Sequence, residues 1–300
     1  MSASRSLRKF RAASAAVRAV PLSLLVAVAE AAGTSIGPRV MQAKERQLRR
    51  HIARARPDYD QATIVAAARR GFGSYARYWA ESFRMPGLPA ERIDRGFSVT
   101  GYENIEHALD SGIGPILVLP HLGGWEWAAA WLNRVKGEQV TAVVERVEPE
   151  DVFDWFVDLR AAYGIDVIPV GADAMGRLVR AVRAKRIVCL LSDRDISGSG
   201  IEVEFFGERT TLPAGPALLA KRTGAPLLPT AVYFRDRGGH HARVGNPVLS
   251  DPDVKLRDDL VRITQDLATA LESLIAAAPD QWHLLGPNWP SDLDAREEVY

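Results

Sequence analysis

Apolar and polar positions change their period near residue 90. Before that point apolar residues recur at spacings of three and four, which predicts three helices at about residues 14–32, 39–55 and 59–84, with Pro38 and Pro57 as punctuation. In the third of these, Phe72, Tyr75, Ala76, Trp79 and Phe83 form one aromatic face, read as core in preference to a ligand box. Arg69, Arg70 and Arg77 lie elsewhere around the same helix, toward phosphate or water. From residue 96 short apolar runs take over, predicting strands at 97–100, 116–120, 140–144, 166–170, 187–192, 226–234 and 242–244. Helical patterns separate the central ones at 125–135, 149–163, 172–184 and 215–223, and an acidic amphipathic helix follows at 254–278. Such alternation argues an α/β fold, a central mostly parallel sheet flanked by helices with its later strands open to antiparallel pairing. The proline-rich stretch at 85–91 reads as a joint between an amino-terminal helical region (1–85) and an α/β core (86–300) within one compact unit. No internal repeat or low-complexity segment interrupts it.

Composition narrows the class. A chain of 300 residues with 47% apolar and 25% charged side chains is globular, and disorder is excluded for most of it. Its one cysteine, Cys189, sits in the apolar run IVCLLS, so there is no disulfide framework and no cysteine metal cluster, in keeping with a reducing compartment. The net charge of +1 conceals an asymmetry: residues 1–84 carry 16 Lys or Arg against 5 Asp or Glu, whereas residues 251–300 carry 4 against 11. The basic residues flank a greasy stretch containing Val20, Leu22, Leu24, Leu25, Val26 and Val28, so an anionic membrane surface is the expected partner and nucleic acid is not. The uncharged run covers only residues 19–29 and contains Pro21, short of the roughly 20 residues that span a bilayer. A pair of interfacial helices is the reading preferred over a signal peptide; an ordinary buried helix followed by a solvated basic one also fits.

The segment PILVLPHLGGWEWAAAW brings in chemistry. A buried strand ends at Pro120, delivers His121 to its carboxyl edge, turns through Gly123 and Gly124, and enters a helix carrying Glu126. Neutral imidazole is the general base available near neutral pH, and a carboxylate on its second nitrogen fixes the tautomer and stabilises the imidazolium. No G-x-S-x-G elbow follows a strand and Cys189 is buried in its run, so the attacking hydroxyl is expected to belong to the substrate. Spacing alone leaves a structural histidine, a metal ligand and an acid/base pair all open; the Gly-Gly turn beside Trp125 and Trp127 favours the last. His51, His240 and His241 are expected in solvent, His107 on a short helix, and His283 closing the core.

These residues, together with SYARYW (74–79), VVERVEPE (143–150), FVDLRAAYGIDVIPV (156–170), LLSDRDISGSGIEVEFFGE (190–208), PAGPALLAKRTGAPLLP (213–229) and WHLLGPNW (282–289), carry a resemblance. HLGGWE resembles the H-x4-D/E motif of the lysophospholipid acyltransferase superfamily, and the ordered segments are similar to its lipid A branch and that branch's actinobacterial members, the phosphatidylinositol mannoside acyltransferases. The resemblance implies a glycerolipid acyltransferase-like fold with membrane-associated amino-terminal helices. It implies transfer of a fatty acyl chain from acyl-CoA to a mannose hydroxyl of a phosphoinositide glycolipid, at the cytoplasmic face of the inner membrane, by a peripheral or monotopic enzyme. Acyl-CoA is then the donor substrate, and neither metal nor cofactor is required. His121 becomes the base. The mannoside enzymes usually carry aspartate where this chain has Glu126, and Glu145, at the end of the next strand, is an equal candidate for the supporting carboxylate. Arg160 and Arg194 are expected to meet phosphate or sugar oxygens. Asp193 and Asp195 either bind sugar hydroxyls or pair with Arg194, and Ser199, in the loop Ser197-Gly198-Ser199-Gly200, is expected to meet phosphate. Phe205 and Phe206 either border the acyl channel or belong to the core. Another glycolipid or a lysophospholipid as acceptor, or a noncatalytic lipid-binding relative, are the alternatives.

Overall fold

The computed structural model describes residues 5–297 other than 197 and 237. A seven-stranded sheet forms the centre: β1 (Phe97–Thr100), β2 (Ile116–Leu119), β3 (Val140–Val144), β4 (Ile165–Pro169), β5 (Ile187–Leu191), β8 (Leu227–Phe234) and β9 (His240–Val244). Its order is β1-β9-β8-β2-β5-β3-β4, parallel throughout except for the antiparallel β8–β9 pair. The mostly parallel α/β expectation is therefore met. Alternate residues of each strand feed opposite cores, as the two-residue period requires. Leu117, Leu119, Val140 and Ala142 pack with α7 (Trp125–Arg134) and α8 (Glu150–Ala161), whereas Ile116, Val118, Val188 and Leu190 pack with α9 (Ala174–Arg183), α10 (Gly215–Thr223) and α11 (Leu256–Ala276).

The amino-terminal region is helical: α1 (Arg5–Arg18), α2 (Leu22–Val40), α3 (Gln42–Ala55) and α4 (Gln61–Arg84). The expected helix at 14–32 is broken before Pro21, which starts α2 from an extended conformation. Pro38, expected as a boundary, lies inside the end of α2; a proline costs the helix one backbone donor, and the chain leaves the helix within a turn. The break falls at Met41, where α2 and α3 meet at 107°. Asp60 caps α4 by accepting from the Thr63 amide at 2.8 Å. Among the described residues no single helix is long and apolar enough to cross a membrane. Helix α2 packs closely along α4, where a side chain at Gly73 would strike Thr34 and the Glu30 carbonyl. Its other side leaves Leu24, Val28, Ile36 and Val40 exposed.

Several elements were not expected. The antiparallel hairpin β6 (Ile201–Phe205) and β7 (Glu208–Leu212) turns at Phe206-Gly207, both in the left-handed region, and buries Val203 and Phe205 against α11. The short helix α5 (Ala90–Arg95) precedes β1 and α12 (Pro290–Glu297) follows the sheet, whereas α6 (Glu103–Asp110) is the short helix expected around His107.

Candidate active site

The buried run of β2 delivers His121, as its pattern predicts, and the neighbour of β2 decides what faces the imidazole. That neighbour is β5, with Leu119 opposite Leu191. Two residues beyond each, His121 and Asp193 therefore meet. Asp193 Oδ1 lies 2.6 Å from His121 Nδ1, and Oδ2 accepts the His121 backbone N–H at 3.0 Å. The Trp282 indole donates to the same Oδ2 at 2.7 Å. Burial of Asp193 works against its charge, yet His121 and these donors hold the carboxyl below its ordinary range. A carboxylate on Nδ1 places the ring proton there and leaves Nε2 as the basic nitrogen, without a hydrogen-bond partner among the described residues, on a residue lining the cavity. Gly123 makes the turn that follows: its φ is +57°, and a side chain would press on the Val232 carbonyl oxygen.

Neither expected supporting carboxylate touches His121. Glu126, 2% exposed, accepts from Arg160 Nε at 2.9 Å, from the Tyr78 hydroxyl at 3.1 Å and from the Tyr163 hydroxyl at 2.8 Å. The helical turn after Gly124 points it into the core between α4 and α8, so it braces Arg160 at the cavity wall. Burial opposes the Arg160 charge, but Glu126 keeps it firmly protonated; burial and the same carboxylate drive the Tyr78 and Tyr163 hydroxyls upward. Glu145 is also corrected as a partner of His121: it sits at the end of β3, one strand farther away, and pairs with Arg194 at 2.7 Å. Asp193, fully buried with both oxygens engaged, is not free to bind sugar hydroxyls, and it pairs with His121, not with Arg194. Ser199 is exposed and does not line the cavity; in its loop the Gly200 amide is committed to Asp195, and Ser197 lies outside the described residues.

His107 lies on the short helix α6 as expected, but two histidines expected in solvent do not reach it. His51 is buried with Gln47, the Leu284 carbonyl and Asp292, and His240 is buried against Glu81 at 2.7 Å with Trp127 stacked on its ring. His283 lines the cavity, bonded through Nε2 to the Ser74 hydroxyl at 2.8 Å; burial and the nearby His121 push it down to about 3. Phe205 is core, and Phe206 packs on Trp282.

His121 stands in a cavity of about 1530 Å³, above the usual range for small-molecule sites. The sheet edge contributes Glu145 and Arg194 and α8 contributes Arg160. One wall is aromatic, built from Tyr75, Tyr78, Trp79, Phe153 and Phe156, so the face of α4 expected as core is in part cavity lining. A third side comes from α3, whose Lys44, Arg46 and Arg50 make no ion pair among the described residues. The arrangement joins an oriented base, an apolar wall and unneutralised cations, a combination suited to a hydroxyl acceptor and an anionic, lipid-bearing donor.

The sequence profile described as bacterial lipid A biosynthesis acyltransferase matches residues 10–291. Phosphatidylinositol mannoside acyltransferase of Mycolicibacterium smegmatis is 39% identical over 252 residues, covering 82% of this chain and 80% of that protein. The enzyme of the same name from Mycobacterium tuberculosis is 38% identical over 252 residues, covering 82% and 78%.

Proposed function

The chain belongs to the bacterial lipid A biosynthesis acyltransferase family, and from that premise we propose that it moves a fatty acyl chain from acyl-CoA to a mannose hydroxyl of a phosphatidylinositol mannoside. The observation that carries the proposal is the His121–Asp193 couple opening onto a cavity with an aromatic wall and free cations. The reaction class, acyl transfer, follows from the family. The acceptor hydroxyl approaches His121 Nε2, which removes its proton as the oxygen attacks the thioester carbonyl carbon. Asp193 stabilises the imidazolium through Nδ1–H. Collapse of the tetrahedral intermediate breaks the carbon–sulfur bond, and the imidazolium returns the proton to the departing thiolate. Arg160, held by Glu126, and Arg194, held by Glu145, are placed to meet phosphate or sugar oxygens, and the α3 cations suit the donor's phosphates. The exposed apolar residues of α2 and the basic charge of α1 and α3 support attachment to the cytoplasmic leaflet as a peripheral protein.

The test is transfer of label from palmitoyl-CoA to purified phosphatidylinositol dimannoside. Wild type is expected to yield labelled glycolipid and His121→Ala none. A folded wild type that binds the donor but labels only a different glycolipid or a lysophospholipid would replace the acceptor; no transfer to any of them would overturn the reading.

A further inference from the structure

We infer that Trp282 is a positioning residue for the base, holding Asp193 in the orientation that His121 requires. The inference rests on the acyl-transfer reading of the same site. Asp193 lies in a loop beyond β5, where nothing in the strand itself fixes its side-chain rotation. Its Oδ1 is committed to the His121 ring, and Oδ2 takes two donors, the His121 amide and the Trp282 indole. The indole is the one side-chain donor on that oxygen among the described residues, and Trp282 is fully buried. Its own position is set by backbone bonds to the motif it serves. Residues 281–283 run antiparallel to residues 121–123, with Leu122 opposite Trp282, the His283 amide donating to the His121 carbonyl at 2.7 Å and the Gly123 amide donating to the Gln281 carbonyl at 2.9 Å. Asn288 of the same segment donates to the Asp193 carbonyl at 3.0 Å. The carboxyl-terminal segment thus grips the base on its backbone and the carboxylate on its side chain. Removing the indole donor leaves Oδ2 held by the His121 amide alone, which loosens the carboxylate, and the oxygen with one donor fewer becomes a stronger acceptor for a protonated partner.

Trp282→Phe keeps the aromatic bulk and removes the N–H. Trp289→Phe is the control. Trp289 is equally buried in the same segment and also donates through its indole, but to the Phe205 carbonyl at 3.0 Å. Trp282→Phe is expected to lower kcat on the order of tenfold with KM unchanged, and to move the acid limb of the rate profile to higher pH. In proton NMR the far-downfield signal of the His121 Nδ1 proton shifts or broadens. Trp289→Phe is expected to change melting temperature alone. Wild-type kcat and an unmoved Nδ1 proton in Trp282→Phe, or equal losses in both variants, would overturn the inference. If wild type transfers no acyl group, the acyl-transfer reading fails by itself; the Nδ1 resonance then still decides the role of Trp282, upheld by a shift and overturned by its absence.

Discussion

At the scale of residues, the His121–Asp193 couple depends on which strand lies beside β2, since Asp193 reaches the imidazole from the end of β5. His121 could be placed because a buried run followed by Gly-Gly delivers a side chain to a strand's carboxyl edge. The order of strands along the chain does not reveal Asp193 as the partner of His121, because it does not say that β5, not β3, lies beside β2. Once that adjacency is known, the register pairing Leu119 with Leu191 gives the couple directly. His51 and His240 were expected in solvent because their partners, Asp292 and Glu81, lie 241 and 159 residues away along the chain. His283 supports a pH prediction. Burial and His121 push it down to about 3, with Asp193 as the opposing charge. Between that value and an ordinary histidine value of about 6.5, the unfolded chain takes up a proton that the folded chain excludes, so stability falls as pH drops through the window. The melting temperature of wild type should fall between about pH 7 and about pH 5, and His283→Gln should lose less over the same interval. Equal losses would remove His283 as a source.

Elements were read better than their ends. The periods of two and of about four residues gave the seven strands of the main sheet and most helices. Pro21 breaks the helix predicted at 14–32, whereas Pro38 is carried inside α2, where its ring costs one backbone bond in a helix that ends two residues later. The β6–β7 hairpin was missed although Val203 and Phe205 alternate with Glu202 and Glu204, since its turn is formed by Phe206 and Gly207 and not by an Asn-Gly pair. Helix α2 bears a prediction of its own. Leu24, Val28, Ile36 and Val40 are each more than half exposed, on a helix whose opposite side is anchored to α4. Leu24→Glu combined with Val28→Glu should reduce flotation with anionic vesicles severalfold while leaving the melting temperature near that of wild type. Undiminished flotation would take α2 out of the membrane contact.

The whole molecule joins a sheet edge, two aromatic helices and a basic helix around one cavity, and the carboxyl-terminal segment completes it. Composition had separated a basic amino-terminal third from an acidic carboxyl-terminal end, but not that the two touch: Arg54 of α3 pairs with Asp292 of α12 at 2.9 Å, and Arg70 of α4 with Asp280 at 2.7 Å. The α/β class and family membership were therefore open to reading in the chain, whereas the supporting carboxylate depended on three-dimensional order. The most direct measurement is kcat for acyl transfer in Asp193→Asn beside Glu126→Gln and Glu145→Gln, each confirmed to be folded. The account predicts a loss on the order of 10³- to 10⁴-fold for Asp193→Asn, with far smaller losses for the two glutamate variants. Near wild-type turnover in Asp193→Asn, or an equal collapse in Glu126→Gln or Glu145→Gln, would contradict it.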